Sequence, residues 1–297
     1  MTADAPVAVD APVIPPKARR APGERREKAR ALLRSKTFLV GALLLGFWVF
    51  CAIFGSLVAP YDPTAASVLD KLQSPSGDHW LGTDRLGRDV LSRVVVGARD
   101  ILLVAPAATL LGTVAGTAIG LVTGYFGGFV DEALMRIVDA FLAVPVVLIG
   151  LLALVALGPS RLTVIAVIGV VFAPIIARSV RAAVLSERQL DYVQAALLRN
   201  ERSPYIMFSE ILPNVMGPIL VEFTVRVGYA IFAIATLSFL GFGIQPPAPD
   251  WGLQIYDHFA LLSGGFWWPS LFPALAIASL VTAINLVADG LVQALGR

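Results

Sequence analysis

The sequence predicts an all-α polytopic membrane protein with six membrane-crossing helices. Three observations carry that prediction. Hydrophobic residues make up 57% of the 297-residue chain and charged residues only 15%, where soluble domains carry about a quarter charged. Mean hydropathy is +0.78. The apolar residues fall into long runs, six of which reach the ~20 residues that a bilayer crossing needs.

Residues 1–36 hold Pro6, Pro12, Pro15, Pro16 and Pro22 among alanines and charges, which predicts a disordered tail turning into a short basic helix from about Glu24. The apolar segment that follows is of full spanning length, so the tail does not read as a cleaved signal peptide. Its basic residues, Lys17, Arg19, Arg20, Arg25, Arg26, Lys28, Arg30, Arg34 and Lys36, serve either as a topology signal or as a patch for anionic lipid. The net charge of +2 is no argument for nucleic acid, because the basic residues stand where membrane topology wants them.

The six predicted spans are Phe38–Ala59, Ile101–Tyr125, Val130–Leu157, Leu162–Val184, Val215–Gly241 and Pro269–Val292. They divide the chain into the tail (1–36), a first span (37–59), an external segment (60–100) and a core of five spans (101–292). Tight turns separate the second span from the third, at Gly124–Gly128, and the third from the fourth, at Gly158–Arg161. Gly112, Gly116 and Gly120 repeat a GxxxG spacing for close helix packing, within the subunit or against another. Cys51 lies in an apolar run without an internal disulfide partner, and His79 and His258 lack the spacing of a zinc site.

The Lys/Arg bias sets orientation. The basic N-terminus belongs in the cytoplasm, which puts the C-terminus and the loop after the fourth span there too. That loop and its approach hold Arg178, Arg181, Arg188, Arg199 and Arg202. Residues 60–100 fall outside.

Ionisable residues inside spans are costly and so informative. Glu222 and Arg226, spaced i, i+4, pair on one helix face and either line a polar path or form a structural bond. Asp139 stands near the middle of the third predicted span with no partner evident in the sequence.

The loop after the fourth span, 187–213, is polar and helix-forming. Leu190, Val193 and Leu197, with Ala196 beside them, make an apolar stripe at helical spacing. Ser203-Pro204 reads as an N-cap with proline at the first helical position of a second short helix, which stops before Pro213. Such a face either fills a groove on a partner or lies on the bilayer.

The loop resembles the "EAA" coupling loop of binding-protein-dependent ABC transporter permeases. The family pattern is Glu-Ala-Ala, glycine four residues after the second alanine, then Ile-x-Leu-Pro. Here Gln194-Ala195-Ala196, Asn200 and Ile211-Leu212-Pro213 correspond. Gln194 replaces the acid, which puts one salt bridge to the ATPase in doubt. Asn200 replaces the glycine, and asparagine tolerates the left-handed backbone that a glycine turn requires. The resemblance implies that Leu190, Asp191, Tyr192, Val193, Gln194, Ala195, Ala196, Leu197, Asn200, Ile211, Leu212 and Pro213 form the ATPase-coupling surface.

Further motifs resemble the "C"-type permeases of dipeptide, oligopeptide and nickel importers. They are His79–Arg93, Gly124–Gly128, Asp131–Arg136 with Asp139, Leu237–Gly243, Gln245–Pro247, Trp251-Gly252 and Asn285–Leu291. The first of these, containing Thr83, Asp84, Gly87, Arg88 and Asp89, is expected to be an interfacial helix with Asp84–Arg88 and Asp89–Arg93 as i, i+4 pairs. Residues Gln245–Trp268 read as an ordered external loop whose tryptophans sit at headgroup level. That loop either contacts a binding protein, shapes a gate, or anchors helix ends.

The chain contains no phosphate-binding G-x-x-x-x-G-K-[ST] loop and no Gly-Lys pair. The resemblance therefore implies a permease with the MetI-like fold of type I ABC importers, for peptides or a related small solute. Its translocation path would involve Asp139, Glu222 and Arg226. Its partners would be a second permease, two ATPase subunits binding ATP and magnesium, and an external binding protein. This chain itself would bind no cofactor. The alternative from another class is an ion- or proton-coupled secondary carrier, which needs titratable groups at the membrane midplane and usually more spans, often as repeats.

Overall fold

A computed structural model describes Leu32 and residues 35–295; the tail and its expected basic helix lie outside the described residues. Among those residues the chain is helical, with one isolated bridge between Thr83 and Asp89. The helices are α1 (Lys36–Val58), α2 (Val90–Phe126), α3 (Gly128–Leu142), α4 (Val146–Leu157), α5 (Arg161–Glu187), α6 (Asp191–Leu198), α7 (Ser203–Phe239), α8 (Trp251–His258) and α9 (Trp268–Leu295). Five of them are long and apolar enough to cross a membrane, and the bent pair α3–α4 makes a sixth if counted as one span.

The third predicted span is thus not a continuous helix. α3 and α4 meet at 84° because Pro145 has no N–H to give and its ring disfavours a helical backbone at Val144. α4 spans 12 residues, about 18 Å at 1.5 Å per residue, and does not cross a ~30 Å hydrocarbon core alone.

The fold is organised around α2 and α5, which form its most extensive helix contact. Small residues make that contact possible: a Cβ on Gly112 would lie 2.8 Å from the Gly169 carbonyl, on Gly116 2.6 Å from Ala173 O, and on Gly120 2.8 Å from Ala177 O. The glycine stripe therefore packs within the subunit. α1 packs on α9 and α2, and the Trp48 indole donates to Ser279 Oγ at 2.9 Å. Much of the rest of α1 is exposed, including Leu43, Phe47, Ile53 and Leu57.

The interfacial helix expected in His79–Arg93 does not form as such; α2 begins only at Val90. Asp89 caps it, accepting from the Ser92 amide at 2.8 Å and the Ser92 hydroxyl at 2.7 Å. Residues 82–88 form a loop because Gly82 and Gly87 take left-handed backbone conformations (φ 74° each). Asp84 closes the loop by accepting from the amides of Leu86 and Arg88 at 2.8 and 3.0 Å. It also pairs with Arg88 Nε at 2.6 Å, so that pair exists without a helix between its members. The Asp89–Arg93 pair does not form, since the Asp89 carboxylate is committed to the cap and to His79 Nδ1 at 2.9 Å. Arg93 instead donates to Pro63 O at 2.9 Å and lies 3.8 Å from Asp84.

Two tryptophans expected at headgroup level are interior. Trp251 donates from Nε1 to Val94 O at 2.9 Å, and Trp268 to Thr83 O at 3.0 Å. Both are buried, whereas Trp267 is exposed. They clamp the 245–268 loop onto the 82–94 segment.

Asp250 caps α8, accepting from the Leu253 amide at 2.8 Å and from Ser238 Oγ at 3.2 Å. Its complete burial nevertheless raises its carboxyl to about 6. A carboxyl raised in the fold favours the folded state most when protonated, below the unfolded value near 3.8, and that contribution is lost as pH climbs through about 6. Asp250→Asn keeps a cap acceptor and removes the charge. It is expected to unfold thermally at the wild-type temperature at about pH 4 and several degrees higher at about pH 7.5. His258, held below its usual value by burial, titrates in both proteins and cancels in the difference. Equal shifts at both pH values would refute this reading.

Candidate functional site

The loop between α5 and α7 is built from its backbone outward. α5 ends at Glu187, a turn carries the chain to Leu190, and α6 begins at Asp191, whose carboxylate suits the positive end of a helix. α6 stops at Asn200, which adopts φ 55°, the left-handed conformation that the glycine of the family pattern would supply. The Glu201 amide donates to Ala196 O at 3.2 Å and the Asn200 amide to Leu197 O at 3.0 Å, the paired bonds of a Schellman stop. The turn survives the substitution. Gln194 also has a local role: its side-chain amide donates to Arg188 O at 3.0 Å. A glutamate, acceptor-only when ionised, could not make that bond.

The second helix does not stop before Pro213. α7 starts at Ser203, with Arg202 rather than Ser203 as the cap, and runs unbroken to Phe239. A π-helical turn, Ile206–Ile211, precedes Pro213 and accommodates a residue with no N–H and a ring that would otherwise strike the previous turn.

Burial divides the apolar stripe in two. Val193 and Ala196 are wholly buried and pack toward Ile206, Met207 and Ile211 of the π turn, which are buried as well. Neither can touch another protein directly. Leu190, Leu197 and Leu198 face outward, Leu198 at 86% exposure. Asp191, Gln194, Ala195, Asn200 and Pro213 are exposed, and Leu212 is half-buried. Leu198, Tyr205 and Phe208 are exposed apolar residues that the helical stripe did not single out. Leu198 stands next to that stripe in sequence, but only the direction of the inward face reveals its position.

Tyr192 lies at the root of the loop. Its hydroxyl donates to Glu187 Oε1 at 2.5 Å and accepts from Asn214 Nδ2 at 3.0 Å. Burial, then the bond to the Glu187 carboxylate, pushes the phenol above its ordinary range, so it remains a donor throughout the physiological range. The contact with Asn214, 22 residues away, had no sequence signal.

The three ionisable residues expected along a translocation path do not share a partner. Glu222 and Arg226 pair on α7 at 2.7 Å, with the Arg226 guanidinium 5.3 Å from the Tyr229 ring centre. Asp139 on α3 is paired with Arg178 of α5, against the expectation of no partner. Asp131 on the same helix takes both Nε and Nη2 of Arg181 at 2.5 Å. Both acids thus fasten the broken span to α5. Between α2 and α7 runs an apolar groove of about 450 Å³ whose lining includes Leu110, Val114, Phe208, Met216 and Phe223. The Thr113 and Thr117 hydroxyls in its wall have no hydrogen-bond partner.

Comparison with known proteins accords with this arrangement. Residues 116–297 match the family described as binding-protein-dependent transport system inner membrane component. Residues 26–75 match the N-terminal TM domain of oligopeptide transport permease C. The chain is 36% identical over 270 residues to the dipeptide transport system permease protein DppC of Alkalihalophilus pseudofirmus, covering 91% of this chain and 88% of that protein. It is 38% identical to the DppC of Bacillus subtilis (90% and 83% covered). With the glutathione transport system permease protein GsiD of Pectobacterium atrosepticum it shares 36% identity (96% and 94% covered). Among solved structures, a chain of the MetNI methionine ABC transporter in inward facing conformations superposes with a TM-score of 0.57 at 20% identity, over 69% of this chain and 97% of that one. That likeness shows the fold, with the helices of a type I importer permease. The chain belongs to the family of binding-protein-dependent transport system inner membrane components and is an ABC importer permease.

Proposed function

We propose that this permease forms one half of the pathway by which an ATP-driven importer takes up di- or oligopeptides, or a related small solute. A second homologous permease supplies the other half, and an external binding protein delivers the substrate. Two ATPase subunits, which bind ATP and magnesium, dock on the loop between α5 and α7; this chain hydrolyses nothing. Both termini and that loop lie in the cytoplasm. ATP binding closes the ATPases, moves α6, and rocks the spans between inward- and outward-facing arrangements.

The observation that carries the reading is a helix whose inner face, Val193 and Ala196, is spent on its own chain while Leu190, Leu197 and Leu198 remain uncovered. Exposed leucines on a polar loop suit an apolar socket on a partner. The peptide class rests on relatives named for dipeptides and glutathione. A proton-driven carrier needs a titratable group free at mid-membrane, and Asp139 is committed to Arg178.

The complete system in proteoliposomes is expected to accumulate labelled dipeptide with ATP and none with a proton gradient alone. Uptake on a proton gradient without ATP would overturn the proposal. In cells, a chain with Cys51→Ser and Arg199→Cys is expected to react with a membrane-impermeant maleimide only after permeabilisation. Reaction from outside would invert the orientation.

A further inference from the structure

Tyr192 gathers three elements at one oxygen atom. Glu187 is the last residue of α5, Tyr192 is in the first turn of α6, and Asn214 lies near the start of the α-helical stretch of α7 that follows the π turn. Between Glu187 and Asp191 the chain makes a short turn closed by local bonds, the Leu190 amide to Glu187 O at 3.1 Å and the Gln194 side-chain amide to Arg188 O at 3.0 Å. The phenol hydroxyl donates to Glu187 Oε1 at 2.5 Å and accepts from Asn214 Nδ2 at 3.0 Å. The second proton of that amide goes to Glu210 O at 2.7 Å, which leaves the amide's donor capacity fully used and its orientation determined. A phenylalanine ring would fill the same space and make neither bond. On the adjoining face of α6, Val193 and Ala196 press on the π turn of α7.

We propose that Tyr192 is a positioning residue: it ties α6 to the ends of both flanking spans, so that a push received on α6 moves α5 and α7 together. This rests on the reading of α6 as the ATPase docking helix. Without the tie, α6 would follow the ATPases with its apolar face still on the π turn of α7 while α5 lagged, and hydrolysis would run ahead of transport.

In the assembled importer with its binding protein, Tyr192→Phe keeps the ring and removes only a hydroxyl turned inward to Glu187 and Asn214, and is expected to retain its ATPases at wild-type stoichiometry. Substrate moved per ATP is expected to fall roughly tenfold or more, the scale set by losing the hydrogen bond to a charged group. Asn214→Asp, which removes the donor, should behave alike, and the double variant should be no worse than either single one, since both break one network. Glu187→Gln leaves a neutral acceptor oxygen for the phenol and should lose clearly less than Tyr192→Phe. An unchanged transport-to-ATP ratio in Tyr192→Phe, additive losses in the double variant, or loss of the ATPases from Tyr192→Phe would each overturn the proposal. The last result would make Tyr192 a docking residue. The tie is also read without any ATPase: hydrogen exchange across 187–191 and 212–216 in the purified full chain should be faster in Tyr192→Phe, and unchanged exchange would refute it. Failure of the docking reading would show separately, as wild-type complexes that do not hold ATPases.

Discussion

A chain carrying Leu197→Asp and Leu198→Asp is expected to fold, reach the membrane, pair with its second permease and lose its ATPases. Both side chains are exposed on α6, at 37% and 86%, so neither substitution opens a cavity or leaves a buried charge. Covering a leucine is worth about 1.5–3 kcal/mol. Losing two removes roughly 3–6 kcal/mol, a factor of about 10²–10⁴ in affinity, before the cost of burying two carboxylates is added. Co-purification of the ATPases on the tagged permease measures it directly, and retention of both at wild-type stoichiometry would end the docking proposal. Val193→Ala is the instructive contrast. Val193 is wholly buried within the chain, so that variant lowers stability by about 1 kcal/mol or more through lost packing and reports on docking only indirectly.

The second large effect falls on the fold itself. Gly116→Leu is expected to prevent accumulation of folded protein, because even the first atom of a side chain at 116 would sit 2.6 Å from the Ala173 carbonyl and 2.8 Å from Ile176 Cβ. Backbone cannot retreat there without separating α2 from α5, and Gly112 and Gly120 meet the same helix one turn to either side. Overpacking of a closed contact costs about 1–3 kcal/mol and at times more, and here a whole leucine must be housed. Gly46→Ala on α1 is the matched control, since a Cβ there has nothing within 4 Å and alanine favours a helix by about 1 kcal/mol. Size-exclusion profiles of the two variants in detergent should separate cleanly. A monodisperse Gly116→Leu at wild-type yield would show that this packing is not required.

Local rules were legible in the sequence where a single residue type has one strong use. Asn200 takes the left-handed stop of α6. Local rules failed where two of them competed. Asp84, Arg88, Asp89 and Arg93 have the spacing of helical ion pairs, yet Gly82 and Gly87 bend the chain first and the Asp89 carboxylate goes to Ser92 and His79. Val130–Leu157 has the length and hydropathy of a span, and Pro145 breaks it. Pro213 reads as a helix terminator, but a π turn carries α7 past it. The apolar stripe of α6 was visible at helical spacing; which half of it faces inward was not, because that depends on a surface contributed by residues 206–211.

By itself, the amino-acid sequence determined the membrane class, the approximate place of most spans, the loop that interrupts them and the family to which the chain belongs. These follow from hydropathy, from backbone conformations that few residue types adopt, and from motifs preserved in order and spacing. Only the tertiary structure decided that Asp131 and Asp139 meet arginines of α5, that Trp251 and Trp268 are interior, that the glycine stripe packs inside the subunit, and that Tyr192 joins three elements. Each of these is a contact between residues distant in the chain, and a partner's identity is encoded in where the backbone brings it rather than in the residues on either side.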